Sequence, residues 1–178
     1  MKNLNQFIKN TEEKTMFICC NDCYALNGLI KSDKYIVTTA FANIVSARTG
    51  FEASFFKHYL EQENVRQIIV AGHANCCMLS HIMDSNNEAN YWQDTKEKLL
   101  QLESAFGSLS NGNKNSITKI MEYHVAIQIN NLLKSPYFQI LLEEFPISVK
   151  GIIIDDFNDS KVLEVDQQLA VGLPVNLN

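Results

Sequence analysis

Short apolar runs alternate with longer amphipathic segments along this chain. Five runs are rich in strand-forming residues: Thr15–Cys20, Tyr35–Thr39, Arg66–Ala71, Val149–Ile154 and Lys161–Val165. Runs that are apolar without interruption are typical of parallel strands, which helices cover on both faces. We therefore predict a parallel sheet built from the first four runs and place the fifth at an edge of that sheet.

Helical periodicity fills the segments between these runs. Leu4, Phe7 and Ile8 recur at helical spacing in an N-terminal arm, residues 1–14, whose narrow apolar face must dock on the domain or on a neighbouring subunit. Further helices are predicted at Ser46–Gln62, Cys76–Met83, Tyr91–Phe106, Ile117–Leu133 and Pro136–Glu144. Alternating strands and helices predict an α/β fold: one domain over residues 1–178, with a central, mostly parallel β-sheet flanked by helices.

Composition narrows the possible partners and locations. The 178 residues include 15 basic and 20 acidic side chains, a formal net charge of −5, and this acidity disfavours nucleic acid as a partner. No apolar run approaches the roughly 18 residues that span a bilayer. The first residues also lack the apolar stretch of a secretory signal. We therefore expect a cytoplasmic protein with no nucleic-acid or membrane partner.

Clustered cysteines are the first candidate chemistry. The chain has five: Cys19, Cys20, Cys23, Cys76 and Cys77. An odd number of cysteines without an export signal does not fit a disulfide framework. Clustered thiols in a reducing compartment indicate metal binding, catalysis or burial as small core residues.

Two of the predicted strands end in potential metal ligands. The first runs into Cys19-Cys20-Asn21-Asp22 and the third into Gly72-His73-Ala74-Asn75-Cys76. Ligands bind beyond the carboxyl ends of strands in open parallel sheets, so these residues converge if the two strands are neighbours. Gly72 is predicted to turn the chain sharply, which places His73 and Cys76 about one helical turn apart. Two thiols and an imidazole suit zinc and leave a fourth position for water.

These residues resemble the β-class carbonic anhydrases. That family carries C-x-D-x-R after its first strand and G-H-x-x-C after its third; here the motifs read Cys20-Asn21-Asp22-Cys23-Tyr24 and Gly72-His73-Ala74-Asn75-Cys76. The resemblance extends over about residues 15–165. Thr39–Asn43 falls where the family has R-N-A-G-N and keeps Asn43 after a small residue. Glu122–Gln128 resembles its E-x-N-V-x-x-Q helix, with His124 in place of the asparagine.

The resemblance implies zinc ligands at Cys20, His73 and Cys76 and a catalytic aspartate at Asp22. It also implies reversible hydration of carbon dioxide to bicarbonate through a zinc-bound hydroxide. The family forms dimers with N-terminal arms that wrap the partner, so we expect at least a homodimer. The aromatic cluster of Phe51, Phe55 and Phe56 is compatible with such an interface.

Neighbouring thiols are rival ligands. Strand alternation places Cys19 and Cys20 on opposite faces of the sheet, and the spacing to Asp22 favours Cys20. Cys77 ranks below Cys76 as a candidate metal ligand. Cys23 is interpreted as a further thiol near the site rather than as a ligand.

The most consequential departure from the family is Tyr24, which stands where the family has an arginine. Tyrosine donates one hydrogen bond but cannot clamp a carboxylate with two charged ones. Without the clamp, Asp22 can swing onto the metal and fill its open position, a closed and inactive state that the family includes. Thr39 replaces a second arginine, and Arg48, the nearest basic residue, is interpreted as a solvated side chain.

Three hypotheses follow from these residues. The first is an active carbonic anhydrase with altered residues around the metal. The second is a zinc-binding relative without hydratase activity. The third is a related zinc hydrolase that acts on carbon disulfide or carbonyl sulfide. The loss of the arginine at Tyr24 is the feature that separates the first hypothesis from the second.

Overall fold

The computed structural model describes residues 2–26, 32–40, 42, 44–45, 47, 49–74, 76–84, 90–106, 114–155 and 161–165. The strands are β1 (Lys2–Asn3), β2 (Thr15–Cys20), β3 (Tyr35–Ala40), β4 (Gln67–His73), β5 (Ser148–Asp155) and β6 (Lys161–Val165). The helices are α1 (Leu4–Lys9), α2 (Gly50–Glu61), α3 (Cys77–Asp84), α4 (Asn90–Phe106), α5 (Lys114–Leu133) and α6 (Pro136–Glu144).

The strands form one sheet in the order β1-β6-β5-β4-β2-β3. The β5-β4, β4-β2 and β2-β3 pairs are parallel, and β6 and β1 extend the sheet by antiparallel pairing. This confirms the predicted α/β fold with a mostly parallel central sheet.

The prediction that Lys161–Val165 forms an edge of the sheet was wrong. Lys2 pairs with Val162, and Asn3 pairs with Lys161, so β1 lies outside β6. A strand of two residues is too short to show a period in the sequence, and its pairing comes from main-chain groups alone.

Two apolar clusters cover the two faces of the sheet. Side chains of α2 to α6 pack on one face, where Cys20, Phe56 and Val125 are buried. On the other face, Leu4 and Ile8 of α1 pack with residues of β2, β4 and β5. The N-terminal arm therefore docks on its own domain, one of the two positions that its sequence allowed. Every residue of β2 and β4 is buried, as their uninterrupted apolar sequences predict.

Two glycines allow α5 to lie close to the sheet. A β-carbon added at Gly72 would lie 2.8 Å from Cγ2 of Val125, and one at Gly151 would lie 2.8 Å from Cγ1 of the same valine. The prediction that Gly72 turns the chain sharply was wrong, because β4 continues through Gly72 to His73 and pairs with β5 there. Gly72 is required for helix packing instead.

Capping residues fix the ends of two helices. Helix α2 begins at Gly50 rather than at the predicted Ser46, because Thr49 and Glu52 form a capping box. Ser135 is the N-cap of α6, and its side chain accepts a hydrogen bond from the amide of Phe138. Among the helices that the structure describes, none has both the length and the hydropathy of a bilayer-spanning segment.

Candidate metal centre

Two neighbouring strands end in residues that can bind a metal. Cys20 is the last residue of β2, and His73 is the last residue of β4. The two strands pair in parallel, with Cys19 opposite Ala71, so their carboxyl ends lie at the same edge of the sheet. The strands are therefore neighbours, which meets the condition for their residues to converge.

Four side chains converge at this edge. One potential ligand atom from each lies within 4.8 Å of the other three; the residues are Cys20, Asp22, His73 and Cys76. The Sγ atoms of Cys20 and Cys76 are 3.4 Å apart, and Nε2 of His73 is 2.8 Å from Oδ1 of Asp22. The structure therefore brings together the four residues that the sequence singled out. Their roles as ligands and as a catalytic group stay predictions.

The two carboxylate oxygens of Asp22 have different neighbours. Oδ1 lies among the potential ligand atoms, beside His73 and 3.8 Å from Sγ of Cys76. Oδ2 accepts a hydrogen bond of 2.7 Å from the main-chain amide of Cys77. That amide begins α3, where no intrahelical acceptor is available to it. Sequence reasoning missed this contact, because every residue except proline carries the same donor.

Hydrogen bonds set the charge of the site. The thiol of Cys76 donates to the sulfur of Cys20, which lowers the pKa of Cys20 to about 6 and, together with burial, raises the pKa of Cys76. Burial alone would raise the pKa of Asp22, but hydrogen bonds from Cys20, Cys77 and His73 hold that pKa below its usual range. The site therefore carries a thiolate and a carboxylate near neutral pH, and this negative charge attracts a cation.

The four residues fit zinc. Bonds of about 2.3 Å from a tetrahedral zinc ion place two thiolate sulfurs about 3.8 Å apart, which is close to the 3.4 Å between Cys20 and Cys76. Sulfur, imidazole nitrogen and carboxylate oxygen are all atoms that zinc accepts. Burial of both cysteines and of His73 excludes most competing water. The site can therefore hold one zinc ion through three or four of these side chains.

The three remaining thiols lie outside this group. Cys19 packs with Cys23 on the opposite face of the sheet, where a hydrogen bond from Cys23 lowers the pKa of Cys19. Strand alternation thus separates Cys19 from Cys20, as predicted. The thiol of Cys77 is exposed, and a hydrogen bond with Asp22 raises the pKa of this thiol. The main-chain amide of Cys77 makes a second contact, with Oδ2 of Asp22.

A family model described as carbonic anhydrase matches residues 15–162, a stretch that contains all four convergent side chains. The chain belongs to the carbonic anhydrase family. No curated protein sequence matches this chain at a significant level.

Solved structures show that the fold is that of the β-class carbonic anhydrases. The β-carbonic anhydrase CcaA is 21% identical with a TM-score of 0.66, and the match covers 93% of this chain and 85% of CcaA. A tetrameric β-carbonic anhydrase from Sordaria macrospora is 18% identical with a TM-score of 0.64 and coverages of 90% and 84%. The Coccomyxa β-carbonic anhydrase in complex with acetazolamide is 19% identical with a TM-score of 0.63 and coverages of 91% and 76%.

The replacement of the motif arginine has a clear structural consequence. The side chain of Tyr24 is 77% exposed, so the residue at the arginine position points into solvent. The chain has two arginines, Arg48 and Arg66. The guanidinium of Arg66 donates to the carbonyl oxygens of Leu60 and Val65, at the opposite end of β4 from the site. Arg48 and Asn43 lie outside the described residues.

Two residues of α5 fix the main chain that follows β3. Nε2 of His124 donates to the carbonyl oxygen of Ala42 over 2.9 Å, and Oε1 of Gln128 accepts from the amide of Val45 over 3.1 Å. Ala42 has a φ of 50°, a left-handed conformation that is unfavourable for a residue with a β-carbon. His124 and Gln128 thereby hold this segment next to the strand end that pairs with Cys20.

Proposed function

We propose that this protein is a zinc-dependent carbonic anhydrase that reversibly hydrates carbon dioxide to bicarbonate. The observation that carries this proposal is the convergence of four potential ligand atoms within 4.8 Å in a member of the family. Cys20, His73 and Cys76 are the proposed zinc ligands. Asp22 is the proposed catalytic residue, and zinc is the proposed cofactor.

Zinc at this site would act as a Lewis acid that lowers the pKa of a water molecule and makes it nucleophilic near neutral pH. Asp22 is suited to orient that water, because a carboxylate with a lowered pKa stays ionised and accepts hydrogen bonds. For this role its Oδ1 must leave the ligand group, where it now lies 2.8 Å from Nε2 of His73. Activity therefore requires Asp22 to move.

An apolar groove near the site suits an uncharged substrate. The groove has a volume of about 290 Å³ and is lined by residues that include Ile18, Ala40, Val45 and Phe56. Ala40 pairs with Cys20 in the sheet, so the groove begins beside one of the proposed ligands. An apolar wall favours carbon dioxide over the charged ions of the surrounding solvent.

A zinc protein without hydratase activity is the second candidate function. The position of Asp22 favours it, because both carboxylate oxygens are engaged: Oδ1 by His73 and Oδ2 by the amide of Cys77. In this case zinc would have four protein ligands, which is the arrangement of structural zinc sites. Hydrolysis of carbon disulfide or carbonyl sulfide is the third hypothesis.

The proposed assembly is a homodimer or a higher homo-oligomer, and the proposed location is the cytoplasm. The tetrameric state of the Sordaria macrospora enzymes supports the first proposal. Exposed Phe51 and Phe55 beside the groove provide an apolar surface for a second copy. Five free cysteines suit the reducing conditions of the cytoplasm.

Metal analysis tests the proposed ligands. Protein purified without chelators is expected to contain about one zinc ion per chain, and Cys20→Ala or Cys76→Ala should abolish stoichiometric binding. Cys19→Ala is the matched control, since Cys19 adjoins Cys20 in β2 but faces the opposite side of the sheet. Equal zinc contents in the Cys19→Ala and Cys20→Ala variants would refute the proposed site.

A stopped-flow assay of zinc-loaded protein tests the reaction. Hydration of carbon dioxide above the rate in buffer, with loss of that rate in Asp22→Ala, is the expected result. Full zinc occupancy without hydration would leave the second candidate. Hydrolysis of carbonyl sulfide under the same conditions, again without hydration, would establish the third.

A further inference from the structure

The main-chain amide of Cys77 contacts Asp22, which is the residue of the four that must move for catalysis. We propose that this main-chain amide, at the start of α3, holds Asp22 in the fourth ligand position and thereby keeps the metal centre closed. The inference rests on the proposed zinc site. It assigns to a backbone group the control of Asp22 that the family gives to an arginine.

The two carboxylate oxygens of Asp22 make different contacts. The 2.7 Å hydrogen bond from Cys77 fixes Oδ2, and the carboxylate plane then directs Oδ1 toward His73 and the sulfur of Cys76. Cys77 is the first residue of α3, so its amide has no carbonyl partner within the helix. A carboxylate at this position is also favoured by the partial positive charge of a helix N-terminus.

A backbone amide acts differently from an arginine side chain. An arginine can rotate and can bind both oxygens of a carboxylate at once, which draws it away from a metal. The Cys77 amide is fixed by α3, donates one hydrogen bond and leaves Oδ1 available. Tyr24 is 77% exposed and therefore does not compete for the carboxylate. Opening of the centre thus requires the bond between Cys77 and Asp22 to break.

Proline at position 77 removes this donor with little change to the helix. Proline is favoured at the first position of a helix, where its missing N–H has no intrahelical partner. Cys77→Pro therefore deletes both the amide and the thiol contact with Asp22. The matched control Cys77→Ala deletes the thiol contact and keeps the amide, so the difference between the two variants measures the amide alone. Both variants and the wild-type protein would be loaded with cobalt(II), whose visible spectrum reports its ligands.

Thiocyanate is the probe for an accessible fourth position. We expect thiocyanate to change the cobalt spectrum of Cys77→Pro with an apparent Kd at least about tenfold lower than that of the wild type. A change of this size is the effect of losing one charge-assisted hydrogen bond. Cys77→Ala should behave as the wild type. Equal thiocyanate affinities in all three proteins, or a tenfold change in Cys77→Ala as well, would overturn the inference.

Cobalt stoichiometry separates failure of this inference from failure of the proposed function. Absence of bound cobalt in the wild type would refute the metal site and the inference together, whereas bound cobalt with equal thiocyanate affinities refutes the inference alone.

If Cys77→Pro does not fold, the amide resonance of Cys77 in zinc-loaded protein provides the test. We expect it to move upfield and exchange faster in Asp22→Ala than in the wild type, and an unchanged resonance would overturn the proposal.

Discussion

At the scale of single residues, His124 stabilises an unfavourable main-chain conformation. It is buried and donates to the carbonyl oxygen of Ala42, whose φ is 50°. His124→Ala would leave this buried carbonyl without its imidazole partner. We expect the free energy of unfolding to fall by about 2 kcal/mol or more, because an unsatisfied buried polar group costs about 1–3 kcal/mol before packing losses are added. Urea unfolding followed by circular dichroism measures this change.

His124→Gln is the control for this prediction. The terminal amide of glutamine places a donor near the position of the imidazole Nε2, so this variant should lose less than half as much stability as His124→Ala. Equal losses in the two variants would show that the imidazole contributes packing rather than the hydrogen bond to Ala42.

The site residues differ in how far the sequence could predict their arrangement. The two-residue alternation of a strand separates Cys19 from Cys20, and the strand ends place Cys20 near His73. The contact between Asp22 and Cys77 has no such signal, because a main-chain amide is independent of residue type. The replacement at Tyr24 was visible in the sequence, but its exposure depends on the fold.

At the scale of elements, the contact of α5 with the sheet depends on two glycines. A β-carbon at Gly151 would lie 2.7 Å from Cδ1 of Ile129 and 2.8 Å from Cγ1 of Val125. Both distances are far below van der Waals contact. We expect Gly151→Ala to lower the free energy of unfolding by about 1–3 kcal/mol, the usual cost of overpacking a filled core. Thermal and urea unfolding would measure the loss.

A second substitution tests whether this loss arises at the α5 contact. Val125→Ala removes methyl groups that crowd position 151, so the double variant should be more stable than the sum of the two single losses predicts, by about 1 kcal/mol. Strictly additive losses would place the origin of the destabilisation at a contact other than Val125, such as the one with Ile129.

Element types were more predictable than the positions of element ends. Uninterrupted apolar runs predicted the buried parallel strands, because a strand that is apolar on both faces is stable only where both faces are covered. The start of α2 depends on reciprocal hydrogen bonds between Thr49 and Glu52, which the apolar periodicity does not contain. Gly72 was assigned to a turn because glycine serves both turns and close packing, and only the position of Val125 decides between them.

At the scale of the whole molecule, one surface combines an open sheet edge with exposed aromatic side chains. Within the described sheet, β3 pairs with β2 alone, and its residues are mostly half-buried. Phe51 and Phe55 of α2 line the adjacent groove and are 86% and 40% exposed. Exposed aromatic clusters of this kind mark protein interfaces. We therefore expect the proposed second copy to cover this surface, which we call the β3–α2 face.

Charge at the β3–α2 face should separate the proposed homo-oligomer. Phe51→Lys combined with Phe55→Lys places two like charges at the centre of the contact, where a second copy would bury them without partners. We expect light scattering at micromolar concentration to show oligomers for the wild type and monomers for this variant.

Leu100→Lys is the control, since Leu100 is also an exposed apolar residue but lies on α4. A monomeric wild type, or a variant that keeps its oligomeric state, would contradict this assignment. Unchanged zinc content in the monomeric variant would further show that the metal site assembles within one chain, as the convergence of Cys20, His73 and Cys76 requires.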